Sequence, residues 1–587
     1  MTTNTDSARL RTDVLVVGAG ASGVCAAIAA AREGCDVVLV EPDTWIGGML
    51  SAAGVSAIDG NDRLPSGLWG EFRTRVRQHY RRNGTDRLDS GWVSNTLFSP
   101  RVAYEVLQQM VGAYRSIRLL CGHDFVAPLW HDERGARRIF GAQFTDGLAV
   151  DATQTIFADE YGDALVRSGI RCRYGIERLP EAGKQRDPAA TGWPWPQDLT
   201  WVVTLRVHLD AASIVAAGTD PLEPPFDRLL GEPPVSWQRF FSYGLLPAAN
   251  DDRRRDDGRL VMLNWPIFGN DVGGDYLAAG SAIGTDTGRA EVLARAQAKT
   301  AALVAALQAR FGTDVVRPAE RELYGADSPT PAGFARIPYI REARRHYGVQ
   351  TLRLEDLVAN RGSVLDRYAI AVGDYPLDHH RREPVDDDRT VFPEIELPSV
   401  HAFSVPYGAL VPARVDGLLV AEKSISVCGL VAGCTRLQPV AMQVGEIAGI
   451  AAALCVHARC QARELDVRLV QHRALAAGIW LRPYADLTHG EPEFATIQWM
   501  AVHGLLVTRH ASVGWANRAF VDPDLPLSAA VCERLTRAAL RIGLLPAADI
   551  PSSSSRPTLR RLARCYHLPQ QEHLWKPLFL PKFDDAT

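Results

Sequence analysis

The sequence predicts an α/β fold in which a parallel sheet covered by helices is interrupted by a mostly antiparallel β region. Three observations predict it. An apolar run at residues 14–17 precedes closely spaced glycines, a second apolar run at residues 418–421 leads into an Ala- and Gly-rich segment, and residues 171–400 hold alternating runs with Trp and Arg. Continuous apolar runs are typical of buried parallel strands, and alternation is typical of half-buried antiparallel strands. We expect the strands of the third region to be long.

The length of the chain predicts more than one domain. At 587 residues it exceeds what a single hydrophobic core normally spans. We expect one domain formed by residues 11–170 and 401–460, a second domain at residues 171–400 inserted between these two parts, and a small helical domain at residues 461–587.

The composition is that of a globular protein and argues against several kinds of partner. Apolar residues make up 47% of the chain, charged residues make up 22%, and the formal net charge is −4. This balance predicts neither a nucleic-acid partner nor binding to an anionic membrane. The ten cysteines include no C-x-x-C pair, so we expect reduced thiols, no metal site and a cytoplasmic location.

The segment DVLVVGAGASGVCAAIAAAREGCDVVLVE carries the most specific motif. Its first strand, Val14–Val17, ends in glycines with G-x-G-x-x-G spacing, namely Gly18, Gly20 and Gly23. Such glycines allow a tight turn, close approach of a pyrophosphate and close helix–strand packing. The helix expected at Ser22–Arg32 directs its N–H groups at the phosphates, and the second strand, Val37–Val40, ends in Glu41, an acceptor for ribose hydroxyls. The segment predicts dinucleotide binding, and the motif alone does not separate NAD from FAD.

The loop after Glu41 separates the two cofactors. It reads PDTWIGGMLSAAG, where Gly47 and Gly48 open a Gly- and Ala-rich loop in place of another βα unit. Here the chain resembles the FAD-dependent oxidoreductases of the glutathione-reductase-like superfamily, in which this loop runs along the cofactor toward the flavin ring. An ordinary surface turn is the alternative, since Gly-Gly is common in turns. The resemblance implies FAD as the cofactor.

A further stretch, VDATQTIFADEYGDALVRSGI, resembles the turn that this superfamily usually writes D-A-T-x-x-G-D. Gly162 and Asp163 match it, whereas Phe157 and Asp159 replace the usual Asp and Thr. Before it, SIRLLCGHDFVAPLW and ARRIFGAQFTDG alternate like strands of a small antiparallel insert. In the family, backbone near the equivalent of Phe125–Val126 contacts the adenine.

The same flavoproteins share a closing motif, which this chain resembles almost from end to end in YGALVPARVDGLLVAEKSISVCGLVAGCTRLQPVAMQVGEIAGIAAAL. Leu418–Ala421 is the expected last buried strand, and Pro439 stands in the first turn of the helix that follows, where a missing N–H costs nothing. The resemblance implies that this helix N-terminus points at the N1–C2=O edge of the flavin. Glu422 departs from the usual Gly. A subgroup loosely associated with polysaccharide utilisation tolerates such a residue, and the resemblance to it covers residues 11–455.

Together these segments imply the fold and the cofactor site. The fold is α/β: a Rossmann-like FAD-binding domain with an inserted, mostly antiparallel β substrate domain and a small C-terminal helical domain. The implied FAD-binding residues are Gly18, Gly20, Ala21, Ser22, Gly23, Glu41, Pro42, Gly47, Gly48, Met49, Phe125, Val126, Ala158, Gly162, Asp163, Arg436, Leu437, Gln438 and Pro439.

The inserted region carries the candidate catalytic residues. Asn264, Arg341 and His380 stand in segments that match motifs of the subgroup. Oxidation of a CH–OH carbon requires a base for the hydroxyl proton, and His acts near neutral pH. Arg holds a carboxylate or stabilises an alkoxide, and Asn hydrogen-bonds a polar substrate. His380 also lies in a run of charges and could be a solvated turn residue; the proton would then go to His401, an Arg or water.

These residues predict an FAD-dependent oxidoreductase, either a dehydrogenase or an oxidase. We expect it to move a hydride from a CH–OH or CH–NH carbon of a small polar substrate to flavin N5. The alternative is a flavin-dependent C–C desaturase or ene-reductase of the fumarate-reductase type, in which an Arg supplies or takes the proton. A binding or assembly protein without turnover is a rival from another class. The electron acceptor, covalent attachment of FAD and homo-oligomerisation stay open.

The last part of the chain has a helical composition. ALAAGIWL, WMAVHGLL and ALRIGLLP each close a helix-like segment with Gly followed by Ile or Leu. This pattern is typical of a glycine that ends a helix and of the hydrophobic contact beside it. We expect an appendage that covers the substrate entrance or mediates association, without catalytic residues.

Overall fold

A computed structural model describes most of the chain. It covers residues 9–85, 88–89, 93–133, 136–177, 195–208, 211–231, 235–247, 258–265, 268–278, 287–358, 362–380, 397–546, 557–569 and 571–581.

The strands are short except near the N-terminus. They are β1 Arg9–Val17, β2 Val37–Glu41, β3 Ala57–Ile58, β4 Thr96–Leu97, β5 Ile117–Cys121, β6 Phe125–Glu133, β7 Ala136–Phe144, β8 Ala149–Phe157, β9 Cys172–Arg173, β10 Leu199–Thr200, β11 Val203–Val207, β12 Arg259–Leu263, β13 Asp271–Val272, β14 Val316–Pro318, β15 Arg345–His346, β16 Ala369–Gly373, β17 Phe403–Pro406, β18 Val415–Asp416, β19 Leu418–Val420, β20 Arg509–Val513, β21 Ala516–Phe520, β22 Leu545–Pro546 and β23 Tyr566–His567.

The α-helices vary widely in length. They are α1 Ala21–Arg32, α2 Gly67–Arg82, α3 Pro100–Gly112, α4 Asp163–Arg167, α5 Ala211–Ala216, α6 Trp237–Tyr243, α7 Thr287–Phe311, α8 Leu354–Val358, α9 Gly429–Thr435, α10 Gln438–Ala458, α11 Val467–Ala476, α12 Phe494–Val502, α13 Ala529–Arg541 and α14 Leu559–Ala563.

The main sheet joins strands from both ends of the predicted first domain. Strand β1 pairs in parallel with β2 on one side and with β8 on the other, and β19 pairs in parallel with β8. Residues Val14–Val17 are buried because this part of the strand is covered on both faces of the sheet. A parallel sheet with a glycine turn after β1 is a Rossmann-like arrangement, as the sequence predicts.

One strand was assigned to the wrong part of this sheet. Residues 117–121 were expected in an antiparallel insert, but β5 pairs in parallel with β2 along its whole length. It follows helix α3 and lies at the sheet edge, so it completes a β–α–β crossover of the kind that parallel neighbours require. Only β6 and β7 form the expected antiparallel hairpin.

Helix α10 packs closely against helix α1, and its glycines make this approach possible. A Cβ at Gly445 would overlap the carbonyl oxygen of Ser22, and a Cβ at Gly449 would overlap that of Ala26. The residues of α10 from Gln438 to Cys455 are all buried. The Ala- and Gly-rich composition of this helix therefore results from a helix–helix contact with no room for larger side chains.

The region after β9 differs from the expected set of long strands. Its antiparallel sheet, in the order β12–β11–β14, has strands of three to five residues. The 25-residue helix α7 was not predicted. Its Ala-rich sequence favours a helix strongly, and its side chains Leu303 and Leu307 enter the same hydrophobic core as the sheet residues Val203 and Leu205.

The C-terminal region is only partly helical. Helices α11, α12 and α13 are followed by Gly478, Gly504 and Gly543, which have φ values of 79°, 71° and 82°. The predicted glycine endings are therefore confirmed, because glycine adopts this left-handed conformation at least cost. The region also contains the β20–β21 hairpin, which the sequence pattern did not indicate.

One helix in the described part of the chain is long and apolar enough to cross a membrane. It is α10, and 94% of its most apolar window is buried inside the protein. Helices in protein cores have the same length and composition, and the contacts of α10 are those of a core helix.

Candidate active site

The first candidate site is a cavity of about 790 Å³ at the carboxyl ends of β1, β2 and β8. This is the volume of a typical cofactor or ligand pocket. Eight of the residues predicted to bind the cofactor line it: Gly18, Gly20, Glu41, Pro42, Gly48, Phe125, Ala158 and Asp163.

The three motif glycines have distinct roles in this cavity. Gly18 has a φ of 94°, and a Cβ there would lie 2.6 Å from the carbonyl oxygen of Ala158. A Cβ at Gly23 would overlap the carbonyl oxygen of Gly18. At Gly20, by contrast, the nearest atom to an added Cβ is 3.8 Å away. An added Cβ there would make only van der Waals contact, and Gly20 lines the cavity, so a ligand can approach its backbone.

Glu41 ends β2 with its carboxyl group at the cavity wall. Its Oε2 accepts a hydrogen bond of 2.6 Å from the backbone N–H of Ala19, and its Oε1 accepts one of 3.2 Å from Asp43. Burial raises the pKa of Glu41 to about 8. These bonds fix the carboxyl group beside the glycine turn, as the ribose-binding role requires.

The other predicted cofactor residues occupy different positions around the cavity. Asp163 lines it and forms ion pairs with Arg289 at 2.7 Å and with Arg344, so its carboxylate is held by cations of the chain itself. The side chain of Val126 is 38% exposed and lies outside the lining. Seven more predicted residues line neither this cavity nor the smaller one at the N-terminus of α10: Ala21, Ser22, Gly23, Gly47, Met49, Gly162 and Pro439.

Glu422 replaces the expected glycine at a position that favours glycine. Its φ is 55°, which is uncommon for any other residue type. Its Oε2 accepts a 3.1 Å hydrogen bond from the N–H of Ser22 in the first turn of α1. Lys423 bridges this carboxylate and that of Glu160, at 3.0 and 2.8 Å. A buried carboxylate thus engages one N–H of the helix that faces the first cavity, and a buried cation balances it.

A second cavity of about 210 Å³ lies at the N-terminus of α10. Its polar lining includes all three predicted catalytic residues, Asn264, Arg341 and His380. Three residues predicted to bind the cofactor, Arg436, Leu437 and Gln438, line it as well. The sequence separates these groups by up to about 170 positions, and the fold brings them together around one small space.

His380 is held between two carboxylates. Its Nδ1 lies 3.2 Å from Oδ2 of Asp271, and its Nε2 lies 3.1 Å from Oδ2 of Asp378. Strand β16 ends at Gly373, so the residues from Asp374 to His380 form a loop. Asp378 is two positions from His380 in the chain, whereas the Asp271 contact spans 109 positions and could not be predicted from spacing.

Arg341 holds the Asp271 carboxylate in place. Its Nη2 donates to Oδ1 of Asp271 at 3.1 Å and to Oδ1 of Asn264 at 3.3 Å, and its Nη1 donates to the carbonyl oxygen of Asp198 at 2.8 Å. Thr200 donates a further hydrogen bond to Asp271. Although burial alone raises the pKa of a carboxyl group, the charges of Arg341 and His380 lower the pKa of Asp271.

Arg436 lies just before helix α10 and contacts the loop that carries His380. Its Nη2 lies 2.6 Å from Oδ2 of Asp378, and its Nη1 donates to the hydroxyl of Tyr339 at 2.7 Å. Although Asp378 is desolvated, the charges of His380 and Arg436 hold its pKa well below the ordinary range.

Several lining residues escaped prediction from the sequence. Asp59 contributes a carboxyl group whose pKa burial raises to about 6. The aromatic side chains of Tyr243, Tyr339, Tyr375 and Trp515 also line the cavity, together with Trp265 from the segment that carries Asn264. Trp515 comes from the turn of the β20–β21 hairpin, so the C-terminal region reaches the site. His401 stacks on His510 at 4.1 Å and does not line this cavity.

The comparison with protein families decides the identity. The chain matches the model of FAD dependent oxidoreductases over residues 13–474. This chain belongs to the FAD-dependent oxidoreductase family. It is an enzyme of this kind, and FAD is its cofactor. No curated protein matches the chain.

Solved structures show only distant similarity to this FAD-dependent oxidoreductase. A geranylgeranyl bacteriochlorophyll reductase-like protein from Thermoplasma acidophilum is 11% identical over 84% of this chain and 88% of its own, with a TM-score of 0.32. PqsL from P. aeruginosa, in complex with 2-aminobenzoylacetate, is 13% identical over 80% of this chain and 92% of its own, with a TM-score of 0.32. Thermovibrio ammonificans THI4 is 18% identical, with a TM-score of 0.22, and the match covers 28% of this chain and 66% of that protein. The chain spans 24% of L-proline dehydrogenase from P. horikoshii.

The residues of the first cavity fit FAD. Gly20 lines this cavity at the N-terminus of α1, a position that suits a pyrophosphate, and the carboxyl group of Glu41 suits ribose hydroxyls. Arg436, Leu437 and Gln438 carry the predicted flavin contact into the second cavity, where the catalytic candidates lie.

Proposed function

We propose that the enzyme oxidises a CH–OH carbon, or a CH–NH carbon, of a small polar substrate. The observation that carries this proposal is His380, held by Asp271 and Asp378 in the cavity that also contains the N-terminus of α10. FAD, when bound, accepts a hydride at N5, and the two electrons of the oxidation move with it. The chain must then bind the substrate and remove the hydroxyl proton.

In this proposal Nε2 of His380 takes that proton. Because an ionised carboxylate only accepts hydrogen bonds, Nδ1 of His380 carries a hydrogen toward Asp271. Nε2 must carry none when the substrate hydroxyl arrives, since only a neutral ring can take the proton. The side chain of Asp378 is 38% exposed and that of Asp271 is 3% exposed. We infer that the substrate hydroxyl displaces Asp378 from Nε2, while Asp271 keeps Nδ1 oriented.

The lining supports a polyhydroxylated substrate of about monosaccharide size. Carboxyl groups of Asp59 and Asp378 accept from hydroxyl groups, and Asn264 and the arginines donate to oxygen atoms. Aromatic side chains such as Trp265 and Trp515 offer faces for C–H groups. The volume of about 210 Å³ admits a small molecule and excludes a polymer chain. Glu422 at the usual glycine position supports membership of the subgroup loosely associated with polysaccharide utilisation.

The desaturase or ene-reductase alternative receives less support. It needs an Arg that exchanges a proton with a carbon atom. In the second cavity Arg341 and Arg436 each donate to a carboxylate, at 3.1 and 2.6 Å. Both guanidinium groups therefore serve the carboxylates that hold His380.

Anaerobic reduction of the bound flavin by a panel of compounds tests the proposal. We expect sugars or polyols to bleach the flavin absorbance in the absence of oxygen. Bleaching by succinate-like acids alone, or reoxidation of the dithionite-reduced enzyme by fumarate-like acids alone, would favour the alternative. A bound flavin that no CH–OH or CH–NH compound reduces would contradict the proposal.

A further inference from the structure

A third cavity lies away from both sites described above. It measures about 670 Å³. It is bounded by the short 3₁₀ helix Val364–Tyr368, by helices α11 and α12, and by the segment that leads into β20. Three arginines line it: Arg367, Arg468 and Arg482. Among the described residues, one carboxylate, that of Asp366, lines it together with them.

Asp366 is already engaged by one of the arginines. It forms an ion pair with Arg482, which also donates to the hydroxyl of Ser404 at 3.3 Å. This pair is neutral as a unit, so two positive charges are left on the cavity wall. Two histidines, His503 and His510, add no charge at neutral pH, because burial lowers their pKa to about 3 and about 4.

Arg468 is the buried member of the remaining pair. Its side chain donates to Gln471 Oε1 at 2.6 Å and to the carbonyl oxygens of Arg367 and Val502, each at 3.3 Å. Within the described ranges, no carboxylate lies within ion-pair distance of the Arg367 or Arg468 guanidinium. Asp466 is near, but its carboxylate accepts from the N–H of Arg468 and from Trp575.

Two arginines without carboxylates are unfavourable beside a cavity. Burial and the neighbouring charge of Arg367 both lower the pKa of Arg468, to about 10. A buried cation is normally paired with an anion, because its desolvation is costly. Arginine also presents a planar group of donors that matches carboxylates and phosphates. The hydroxyl groups of Tyr484 and Thr508, 3.0 Å apart on the same wall, are further partners for oxygen atoms.

We propose that this cavity binds a small organic anion through Arg367 and Arg468, with an oxyanion group, either phosphate or carboxylate, lying between the two guanidinium groups. The volume exceeds that of an inorganic ion, so the remainder of the ligand lies toward Tyr484 and Thr508. This site is separate from the flavin and substrate cavities, with which it shares no lining residue.

Isothermal titration calorimetry on the FAD-loaded enzyme tests the proposal, since bound FAD blocks its own phosphate site. The probes are inorganic phosphate, glucose 6-phosphate and citrate, each against sodium chloride at equal ionic strength. We expect at least one probe to bind with one site per chain. The phosphate and citrate arms distinguish a phosphate ligand from a carboxylate ligand.

Two variants and one control locate the binding. Arg367 is exposed, so Arg367→Gln should fold normally and weaken binding about tenfold or more, as expected for a lost charged hydrogen bond. Arg468→Gln should abolish it. Arg534→Gln, on the exposed face of α13, should leave it unchanged. Absence of binding by every probe, or equal binding by wild type and Arg367→Gln, would overturn the proposal.

Discussion

Oδ2 of Asp378 lies 3.1 Å from Nε2 of His380, and the same oxygen lies 2.6 Å from Nη2 of Arg436. The candidate base is therefore coupled to the N-terminus of α10 through one carboxylate. Because the Asp378 side chain is partly exposed, a substrate hydroxyl can replace it at Nε2. The Asp271 contact on the other ring nitrogen is buried and stays in place.

Trp515 should govern substrate binding more than chemistry. It lies in the hairpin turn and lines the second cavity, and among the described residues no hydrogen bond joins it to His380, Asp271 or Asp378. We expect Trp515→Ala to raise the apparent Kd for the reducing substrate about tenfold, the usual scale for a lost aromatic contact of 1–2 kcal/mol. Stopped-flow flavin reduction measures this Kd together with the limiting rate.

The control for Trp515 is a residue of similar exposure outside the cavity. Val513 is 58% exposed, against 57% for Trp515, and belongs to the same hairpin without lining the cavity, so Val513→Ala should change neither quantity. A fall in the limiting rate of Trp515→Ala with an unaltered Kd would show that the hairpin acts on the reaction step instead.

Lys423 should support FAD affinity. It is the shared cation of Glu160 and Glu422, whose carboxylates lie near the N-terminus of α1. In Lys423→Met these carboxylates face the pyrophosphate without compensation, so we expect FAD affinity to fall about tenfold at pH 8. The loss should become smaller as the pH falls, because burial raises the pKa of Glu160 and its protonation removes a negative charge.

Fluorescence titration of the apoprotein with FAD measures this change directly. Lys576→Met, which alters an exposed lysine near the C-terminus, is the matched control. An unchanged FAD affinity in Lys423→Met at pH 8 would show that the carboxylates lie too far from the bound pyrophosphate to affect it.

The sequence predicted the cofactor, FAD, and the parallel strands around the glycine turn. Local spacing determines this turn: Gly18, Gly20 and Glu41 belong to one continuous β–α–β unit, whose geometry is nearly invariant. The catalytic side depends on contacts between distant segments. Asp271 meets His380 only because β13 and the loop after β16 lie side by side in the fold. The Trp515 hairpin and helix α7 escaped prediction for a related reason, since tertiary packing determines where they lie.

Gly445 should be intolerant of any side chain. A Cβ there would overlap the carbonyl oxygen of Ser22 and would separate α10 from α1. We expect Gly445→Ala to lower the free energy of unfolding by about 1–3 kcal/mol, the usual cost of overpacking. Gly112, at the end of α3, has no atom within 4 Å of an added Cβ, so Gly112→Ala should be neutral or slightly stabilising. Equal effects of both substitutions on denaturant midpoints would contradict this account.

Glu446 should make stability depend on pH. It lies in α10 and accepts a 2.7 Å hydrogen bond from the N–H of Leu68, and burial raises its pKa to about 8. The ordinary pKa of a Glu is about 4.3, so the folded state binds this proton more tightly than the unfolded state does. Its contribution to stability is therefore complete below pH 4 and declines as the pH rises toward 8.

Replacing this carboxyl group by an amide should remove that decline. We expect Glu446→Gln, which keeps an acceptor for Leu68, to be more stable than wild type at pH 8 by a few kcal/mol and to show little difference at pH 5. Denaturant midpoints of the FAD-loaded enzyme between pH 5 and pH 8 measure the difference. Glu533→Gln, at an exposed site on α13, should follow the wild-type profile. If the denaturant midpoints of wild type and Glu446→Gln changed in parallel with pH, Glu446 would be ionised in the folded state.

The central claim is that His380 removes the substrate proton, and single-turnover flavin reduction tests it most directly. With the best reductant from the anaerobic panel, we expect His380→Gln to reduce its flavin about 10²- to 10⁴-fold more slowly than wild type, the usual contribution of a general base. The flavin absorbance spectrum and the FAD content should be unchanged, and His573→Gln, at an exposed position, should match wild type. Flavin reduction in His380→Gln at the wild-type rate would contradict the account.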